Sequence, residues 1–371
     1  MIRDVVRRLP LTAERIHREI VKLLVLVAIA AAAFLGTRAF AAASRNTGLR
    51  DAAHWYQIGQ RDLERGEAVA ALDALRRAAV KDRTNRAYRL ALGRAQARAG
   101  QPAAAERTLL ALRDEAPENP EINLELARLA VARDDVPAAV RYYRNALYAI
   151  WPEGDGPGRV RLELIRVLLR RGERRLALAE LIAATSDPTT NVADNIRFGR
   201  LFLDAGEPAR ARDHFDRALR AAPGDMQALA GAGLAAFRLG DYRAASRYLR
   251  TVPDDEREAR EARELANLVL ANDPLEPRLP SSDRRRRLME GLAHVQRRLD
   301  SCASDSIAAL RTDIEAFKRR LTSRAARDRD TIEDGVGLMY RAERALAPCG
   351  AASSLDRAWL LIGERHAAED A

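Results

Sequence analysis

The chain has 371 residues, of which 47% are hydrophobic and 31% charged, and its formal net charge is +10 at pH 7. This length allows two or three domains, and the apolar content is sufficient for sizeable hydrophobic cores. The positive charge is densest near the N-terminus, which favours an anionic membrane surface over nucleic acid as the partner of the basic residues. Only three of the 63 basic residues are lysine, as is typical of proteins from GC-rich bacterial genomes.

The first predicted element is an apolar run at residues 20–37, which is broken only by Lys22. As a helix it extends roughly 27 Å, just enough to cross a bilayer, with Lys22 and Arg38 reaching toward the interfaces. Basic residues are more frequent before the run than after it, and those before it include Arg3, Arg7, Arg8, Arg15 and Arg18. The positive-inside rule therefore predicts a cytoplasmic tail at 1–19, a single-pass anchor at 20–37 and an extracytoplasmic remainder.

A cleavable signal peptide is the alternative interpretation of this segment. Its apolar part would be residues 23–36, and Ala39-Phe40-Ala41 resembles a cleavage site of small residues. The region before the apolar run is over twenty residues long, which is more than a leader needs. We therefore favour an uncleaved anchor in the inner membrane of a bacterium.

Small and large apolar residues then recur at a step of 34 residues. The recurring sets are Gly59 and Gly93; Gly66 and Gly100; Ala71, Ala105 and Ala139; Leu75, Leu109 and Tyr143; and Ala78, Leu112 and Ala146. Residues 151–158 are rich in proline and glycine and predict an extended turn that shifts the register by four residues. The step returns in the pairs Gly199 and Gly233, Gly206 and Gly240, Ala211 and Ala245, and Phe215 and Leu249. This period is the length of one helix-turn-helix unit.

The pattern resembles the tetratricopeptide repeat. The signature positions of the first unit are occupied by Trp55, Gly59, Ala71, Leu75 and Ala78, whereas Arg89 and Ala127 depart from the signature in later units. The resemblance implies an all-α fold, namely a right-handed α-solenoid of helix-turn-helix repeats whose concave surface holds another protein. We expect about six repeats and a capping helix at 52–274. The expected repeats are 52–85, 86–119, 120–153, 158–191, 192–225 and 226–259, and the capping helix is near 256–272.

Three prolines at 274, 277 and 280 end the predicted solenoid, and a small helical domain is expected at 275–371. Helical patterns there cover 283–300, 305–325, 331–346 and 354–367, with Asp305 or Ser306 and Ser353 or Ser354 as candidate N-caps. Cys302 and Cys349 are the only cysteines, and both flank helix ends. We favour a disulfide between them over two free thiols, because the predicted topology places them in an oxidising compartment.

Motifs of catalysis are absent from the sequence. It contains no CxxC, HExxH, P-loop or GxSxG, and its five histidines are scattered without metal-ligand spacing. The glycine-rich residues 154–158 join two helices and predict a turn, not a phosphate loop. The run Arg284–Arg287 lacks interleaved aromatic residues and predicts a solvated helix start, not a nucleic-acid contact. We therefore expect no enzymatic activity, no cofactor, no metal site and no nucleic-acid partner.

One polar pattern points to a binding surface. In tetratricopeptide repeats the ninth residue of each first helix faces the groove. These positions include Arg94, Arg128, Arg166 and Arg200, and Arg98, Arg170 and Arg238 lie one helical turn further on. A guanidinium group binds carboxylates in a bidentate fork, so an acidic segment of a partner protein is the expected ligand. Chance alignment is the alternative, because arginine is the commonest polar residue of this chain.

The sequence thus predicts a membrane-anchored scaffold for protein–protein interaction at the bacterial cell envelope, which holds its partner in the groove. Two other arrangements of the same repeats stay open. One is a regulatory adaptor that faces the cytoplasm, and the other is a periplasmic protein released by signal cleavage.

Overall fold

A computed structural model of the chain describes residues 13–152, 154–186, 191–302, 307–322 and 329–369. The chain divides into unit 1, residues Met1–Arg161, and unit 2, residues Leu162–Ala371. Every regular element in the described ranges is helical. This confirms the expected all-α fold.

Unit 1 contains three helix pairs. Its helices are α1 (Ala13–Glu64), α2 (Ala68–Lys81), α3 (Arg86–Arg98), α4 (Pro102–Glu115), α5 (Pro120–Ala132) and α6 (Val136–Tyr148), and α7 (Gly156–Arg170) begins in this unit and continues into unit 2. Helix α1 packs on α2, α3 on α4 and α5 on α6, and each pair also contacts the next. The pairs are the helix-turn-helix repeats that the 34-residue step predicted.

Helix α1 joins the expected anchor to the first repeat without a break. It is continuous from Ala13 to Glu64, so residues 20–37 and the first helix of the first repeat are parts of one element. The segment Arg18–Glu64 is long and apolar enough to cross a membrane, by length and composition. The apolar side chains between Ile20 and Leu35 are exposed. The basic residues Arg3, Arg7 and Arg8 lie outside the described residues.

Small residues on the first helix of each repeat face large residues on the second. Gly59 lies against Leu75, and Gly93 lies against Leu109, sixteen residues later in both cases. A Cβ atom added to Gly93 would stand 2.9 Å from Leu109 Cδ2, closer than real Cβ contacts. The recurring glycines therefore set a close approach between paired helices, which explains why they keep the repeat register.

The turn within each repeat needs a left-handed backbone residue. Gly66 has φ +80° and Gly100 has φ +74°, and in the third repeat Asp134 holds the same register with φ 64°. Aspartate tolerates this conformation better than most residues because its short polar side chain can bond locally. The first helices begin at side-chain caps: Asn85, Asn119, Asn191 and Asp225 accept hydrogen bonds from the N–H groups of the first turn.

Unit 2 continues with further helix pairs and then a helical C-terminal region. Its remaining helices are α8 (Arg174–Ala184), α9 (Val192–Ala205), α10 (Pro208–Ala221), α11 (Met226–Arg238), α12 (Tyr242–Leu249), α13 (Arg257–Asn272), α14 (Ser281–Ser301), α15 (Ala308–Thr322), α16 (Arg329–Ala345) and α17 (Ser354–Glu369). Helix α13 packs on α12 and also on α17. One buried cluster contains Ala245 of α12 together with Leu292 of α14 and Trp359 of α17. The last repeat and the C-terminal helices therefore share a core.

The proline-rich segment after α13 is held by arginines of α14. The Nη1 atom of Arg287 donates to the carbonyl oxygens of Leu270 and Asp273, both at 2.9 Å, and Arg284 Nε donates to Leu279 O at 3.1 Å. Arg284 and Arg287 therefore lie near the start of a helix, as expected, but they bind backbone carbonyl groups as well as solvent. Arg287 binds carbonyl groups that the end of α13 leaves without a helical partner, and Arg284 binds a carbonyl group of the segment that follows.

Helix α17 begins at a side-chain cap. The backbone N–H of Asp356 donates to Ser353 Oγ, and the backbone N–H of Ser353 donates to Asp356 Oδ2 at 2.8 Å. This reciprocal pair is a capping box, and it makes Ser353 the residue before the first turn of α17. Asp305 and Ser306 lie outside the described residues.

A buried histidine makes the stability of unit 2 dependent on pH. His214 stacks on Phe202 and pairs with Asn195 Oδ1 at 3.1 Å, and burial, aided by the charge of Arg217, lowers its pKa from 6.5 to about 4. Between these values the unfolded chain binds a proton that the folded chain does not. Stability is therefore complete above pH 6.5 and decreases as the pH falls toward about 4, by roughly 3 kcal/mol.

We expect His214→Gln to reduce this pH dependence, as measured by urea unfolding at neutral pH and at about pH 4. The exposed His54→Gln variant is the matched control and should keep the dependence of the wild type. The same pH profile in His214→Gln and in the wild type would contradict the assignment.

Candidate protein-binding groove

The arginines of unit 1 at the expected groove positions are already paired. Arg94 Nε donates to Glu125 Oε1 at 2.8 Å, and Arg128 Nη1 donates to the same oxygen at 2.9 Å. Arg94 also approaches Glu121 at 3.4 Å. The Glu125 side chain is only 10% exposed. The acidic side chains of α5 therefore offset much of the positive charge that Arg94 and Arg128 bring to unit 1.

Two other predicted groove residues have a role inside the stack. Arg98 Nη1 donates to Leu63 O at 3.1 Å, and Arg238 Nη1 donates to Leu203 O at 2.8 Å. In each case the arginine lies in the last turn of the first helix of a repeat, and its acceptor is a carbonyl group near the end of the first helix of the preceding repeat. The two residues are 35 positions apart in both cases. Arg238 also pairs with Glu258 at 3.0 Å. The same two oxygens accept the backbone N–H groups of Gly66 and Gly206, so each arginine adds a second hydrogen bond to a carbonyl group near the end of a helix.

The three remaining arginines, all in unit 2, are different. Arg166, Arg170 and Arg200 are exposed, and within the described part of the chain none of them makes a hydrogen bond or an ion pair. Arg166 of α7 and Arg200 of α9 line one depression of about 680 Å³. These guanidinium groups keep all their donors available for a ligand.

The depression combines positive charge with apolar and polar walls. Its other lining residues are Val192, Ala193, Ile196, Arg197, Leu201, Asp225 and Gln227. Arg197 is paired with Asp194 at 3.0 Å, and the Asp225 side chain caps α11. The available charge in the depression is therefore that of Arg166 and Arg200. We call this depression, with the adjacent Arg170, the unit 2 groove.

The cysteine pair lies at the ends of helices in the C-terminal region. Cys302 follows α14, and Cys349 ends a short 3-10 turn at Ala347–Cys349. The structure joins their sulfur atoms, and the Cα atoms are 5.6 Å apart, within the usual range for a disulfide. Arg311 Nη2 donates to the carbonyl oxygen of Cys302 at 2.7 Å, so the backbone at this end is held by α15 as well.

A second polar cluster was not predicted from the sequence. His294 and Arg298 of α14 meet Glu343 of α16 and Asp356 of α17. Burial raises the pKa of Glu343 to about 7, although the charge of Arg298 opposes this. Burial also acts to raise the pKa of Asp356, but hydrogen bonds from His294 and Ser353 and the charge of Arg298 bring it below its usual value. The members are up to 62 residues apart, so no local spacing could reveal them.

The helix pairs define the chain as a helical-repeat protein. Residues 90–155 and 196–256 match the family model of the tetratricopeptide repeat, so the helix pairs within these two ranges are tetratricopeptide repeats. The presence of these repeats supports a role of the chain as a scaffold for protein–protein interaction. No curated protein matches the chain.

Several solved structures are similar in fold. The crystal structure of PilW, described as a widely conserved type IV pilus biogenesis factor, is 17% identical with a TM-score of 0.42, and the match covers 56% of this chain and 96% of PilW. Pseudomonas aeruginosa PilF is 17% identical with a TM-score of 0.43, covering 57% of this chain and 94% of PilF. A complex of the yeast Sti1 TPR2AB domain with pHSP90 is 12% identical with a TM-score of 0.32, covering 73% of this chain and 98% of that chain.

Proposed function

We propose that the protein is a membrane-anchored scaffold that holds an acidic segment of a partner protein in the unit 2 groove. The observation that carries this proposal is the exposed, unpaired state of Arg166, Arg170 and Arg200 in the described structure. Unpaired guanidinium groups on neighbouring helices favour carboxylates, which they bind through two parallel hydrogen bonds. The proposal includes no catalytic step.

Unit 1 contributes less to this binding. Arg94 and Arg128 would have to release Glu125 before they could bind a partner carboxylate. Arg166 and Arg200 require no such exchange. Exposed pairs contribute roughly 0–1 kcal/mol each, so several must act together, and their sum must weaken as salt is added.

Reversing two groove charges should release the partner. We expect Arg166→Glu with Arg200→Glu to weaken partner binding by about tenfold or more, because two attractive contacts become repulsive. The measurement is quantitative co-purification of cross-linked partners with the full-length protein at low and high salt. Wild-type binding should decline with salt.

The matched control is Arg210→Glu with Arg220→Glu, which changes the net charge equally on two exposed residues of the second helix α10. This control should retain the partners, and both double variants should keep the helical melting curve of the wild type. Equal partner recovery with the groove variant and the control variant would contradict the proposal.

We also propose that α1 anchors the protein in the bacterial inner membrane, with the N-terminus in the cytoplasm. The support is the length and composition of the segment Arg18–Glu64 and the excess of basic residues on its N-terminal side. Residues after the span, including both units' repeats, would then face the periplasm.

Fusions test this topology. Alkaline phosphatase joined after Ala371 should be active, because that enzyme needs an oxidising compartment, and the same enzyme joined after Arg18 should be inactive. A cytoplasmic adaptor would give an inactive enzyme after Ala371. Signal cleavage would give activity after Ala371 but a shortened, soluble product on gels and in membrane fractionation.

A further inference from the structure

Three helices of the C-terminal region bring metal-binding side chains together at a site separate from the unit 2 groove. One ligand atom each from His294 of α14, Glu343 of α16 and Asp356 of α17 lies within 4.8 Å of the other two. The geometry points to a divalent metal site formed by these three side chains. One imidazole and two carboxylates form a ligand set that suits zinc and similar divalent transition metals.

The carboxylates of this site are removed from solvent. Glu343 is 3% exposed and Asp356 is 2% exposed. Buried carboxylates are retained in proteins where a cation or a full set of donors compensates for the lost water. His294 is partly exposed, at 20% of its side chain, and provides the edge through which an ion could enter.

Arg298 orients the two carboxylates but does not satisfy them completely. Its Nη1 atom bonds to Glu343 Oε2 and lies 3.2 Å from Asp356 Oδ2. The other oxygen, Glu343 Oε1, is buried and has no hydrogen-bond partner in the described structure. Arg298 would thus act from outside the site, because it holds Glu343 Oε2 and Asp356 Oδ2 and leaves Glu343 Oε1 and Asp356 Oδ1 as the oxygens for an ion.

The remaining ligands are also held in place. His294 Nε2 lies 2.6 Å from Asp356 Oδ1, and Asp356 Oδ2 accepts the backbone N–H of Ser353 at 2.8 Å. An ion would replace the proton between His294 and Asp356 and would bind the open oxygen of Glu343. The site would then carry two carboxylates, one guanidinium and one divalent ion. The charge of Arg298 reduces the attraction for the ion, so we expect weaker binding than in a site of three carboxylates.

Metal titration of the full-length protein in detergent micelles tests the site. After treatment with EDTA, the wild type should bind one equivalent of Zn²⁺ and melt at a higher temperature with the ion than without it. Glu343→Gln and His294→Gln should each weaken Zn²⁺ binding by at least about tenfold. The matched control is Glu290→Gln with Glu333→Gln, which removes carboxylates from the same helices α14 and α16 outside the site.

A second measurement protects against a variant that does not fold. Co²⁺ in the wild-type site should give a visible absorption band that is absent from His294→Gln, whose side chain lies at the edge of the core. The inference fails if the wild type binds no equivalent of Zn²⁺, or if binding is unchanged by both site variants. The inference also fails if lower pH raises the melting temperature of the wild type while Zn²⁺ does not. In that case a proton, and not a metal ion, stabilises the cluster of His294, Glu343 and Asp356.

Discussion

Replacing Phe215 with alanine should lower the free energy of unfolding of unit 2 by about 3 to 5 kcal/mol. Phe215 is fully buried, and its ring lies against Gly199 of α9 and Gly231 of α11. One aromatic side chain of α10 therefore packs two successive first helices, and its removal leaves a cavity between repeats. Urea unfolding followed by circular dichroism measures the loss.

Two companion variants sharpen this test. Leu239→Ala removes a side chain that is 42% exposed and should cost much less than Phe215→Ala. Gly199→Ala adds a Cβ atom 2.7 Å from Phe215 Cζ, and overpacking of this kind costs about 1 to 3 kcal/mol. In contrast, Gly224→Ala meets no atom within 4 Å and should be nearly neutral. Equal effects of Phe215→Ala and Leu239→Ala would contradict the packing argument.

Loss of the proposed disulfide should have the next largest effect. A bond between Cys302 and Cys349 closes a loop across a sequence separation of 47, and on the chain-entropy model this constraint contributes roughly 4 kcal/mol. We expect a reductant to lower the melting temperature of the wild type. The double variant Cys302→Ser with Cys349→Ser should start from the lower value and show no response to the reductant.

Thiol counting provides the decisive check of that prediction. The unreduced, denatured wild type should react with no alkylating reagent, and after reduction it should react at both Cys302 and Cys349. Two reactive thiols before reduction would show that the cysteines are free in the protein, and the melting comparison would then have no disulfide to report.

The repeats could be predicted from the sequence because their packing is local and periodic. Gly93 and Leu109 belong to adjacent helices of one repeat. The residues that pack together are therefore close in the sequence, and the same pattern recurs every 34 residues. The continuity of α1 was not evident. Residues 38–51 include polar residues and Gly48, but none of these stops a helix, and α1 passes through them.

The partners of the groove arginines could not be predicted, because they depend on neighbouring elements. Aligned positions suggested that Arg94, Arg128, Arg166 and Arg200 were equivalent. The structure distinguishes them through Glu125, which lies 31 residues from Arg94. The cluster around Glu343 was invisible for a related reason: α14, α16 and α17 do not repeat, and only their tertiary packing brings its members together.

The uninterrupted course of α1 has an angular consequence for the proposed anchor. A helix turns by about 100° per residue, so one residue inserted between the span and the first repeat would rotate the repeats of unit 1 about the helix axis by that angle. A flexible linker would erase such a change, but a continuous helix transmits it. Seven inserted residues, close to two full turns, would nearly restore the original orientation of these repeats and move them about 10 Å further from the bilayer. In the proposed arrangement, the number of residues between Thr37 and Ala52 would therefore set the orientation of these repeats and their height above the bilayer.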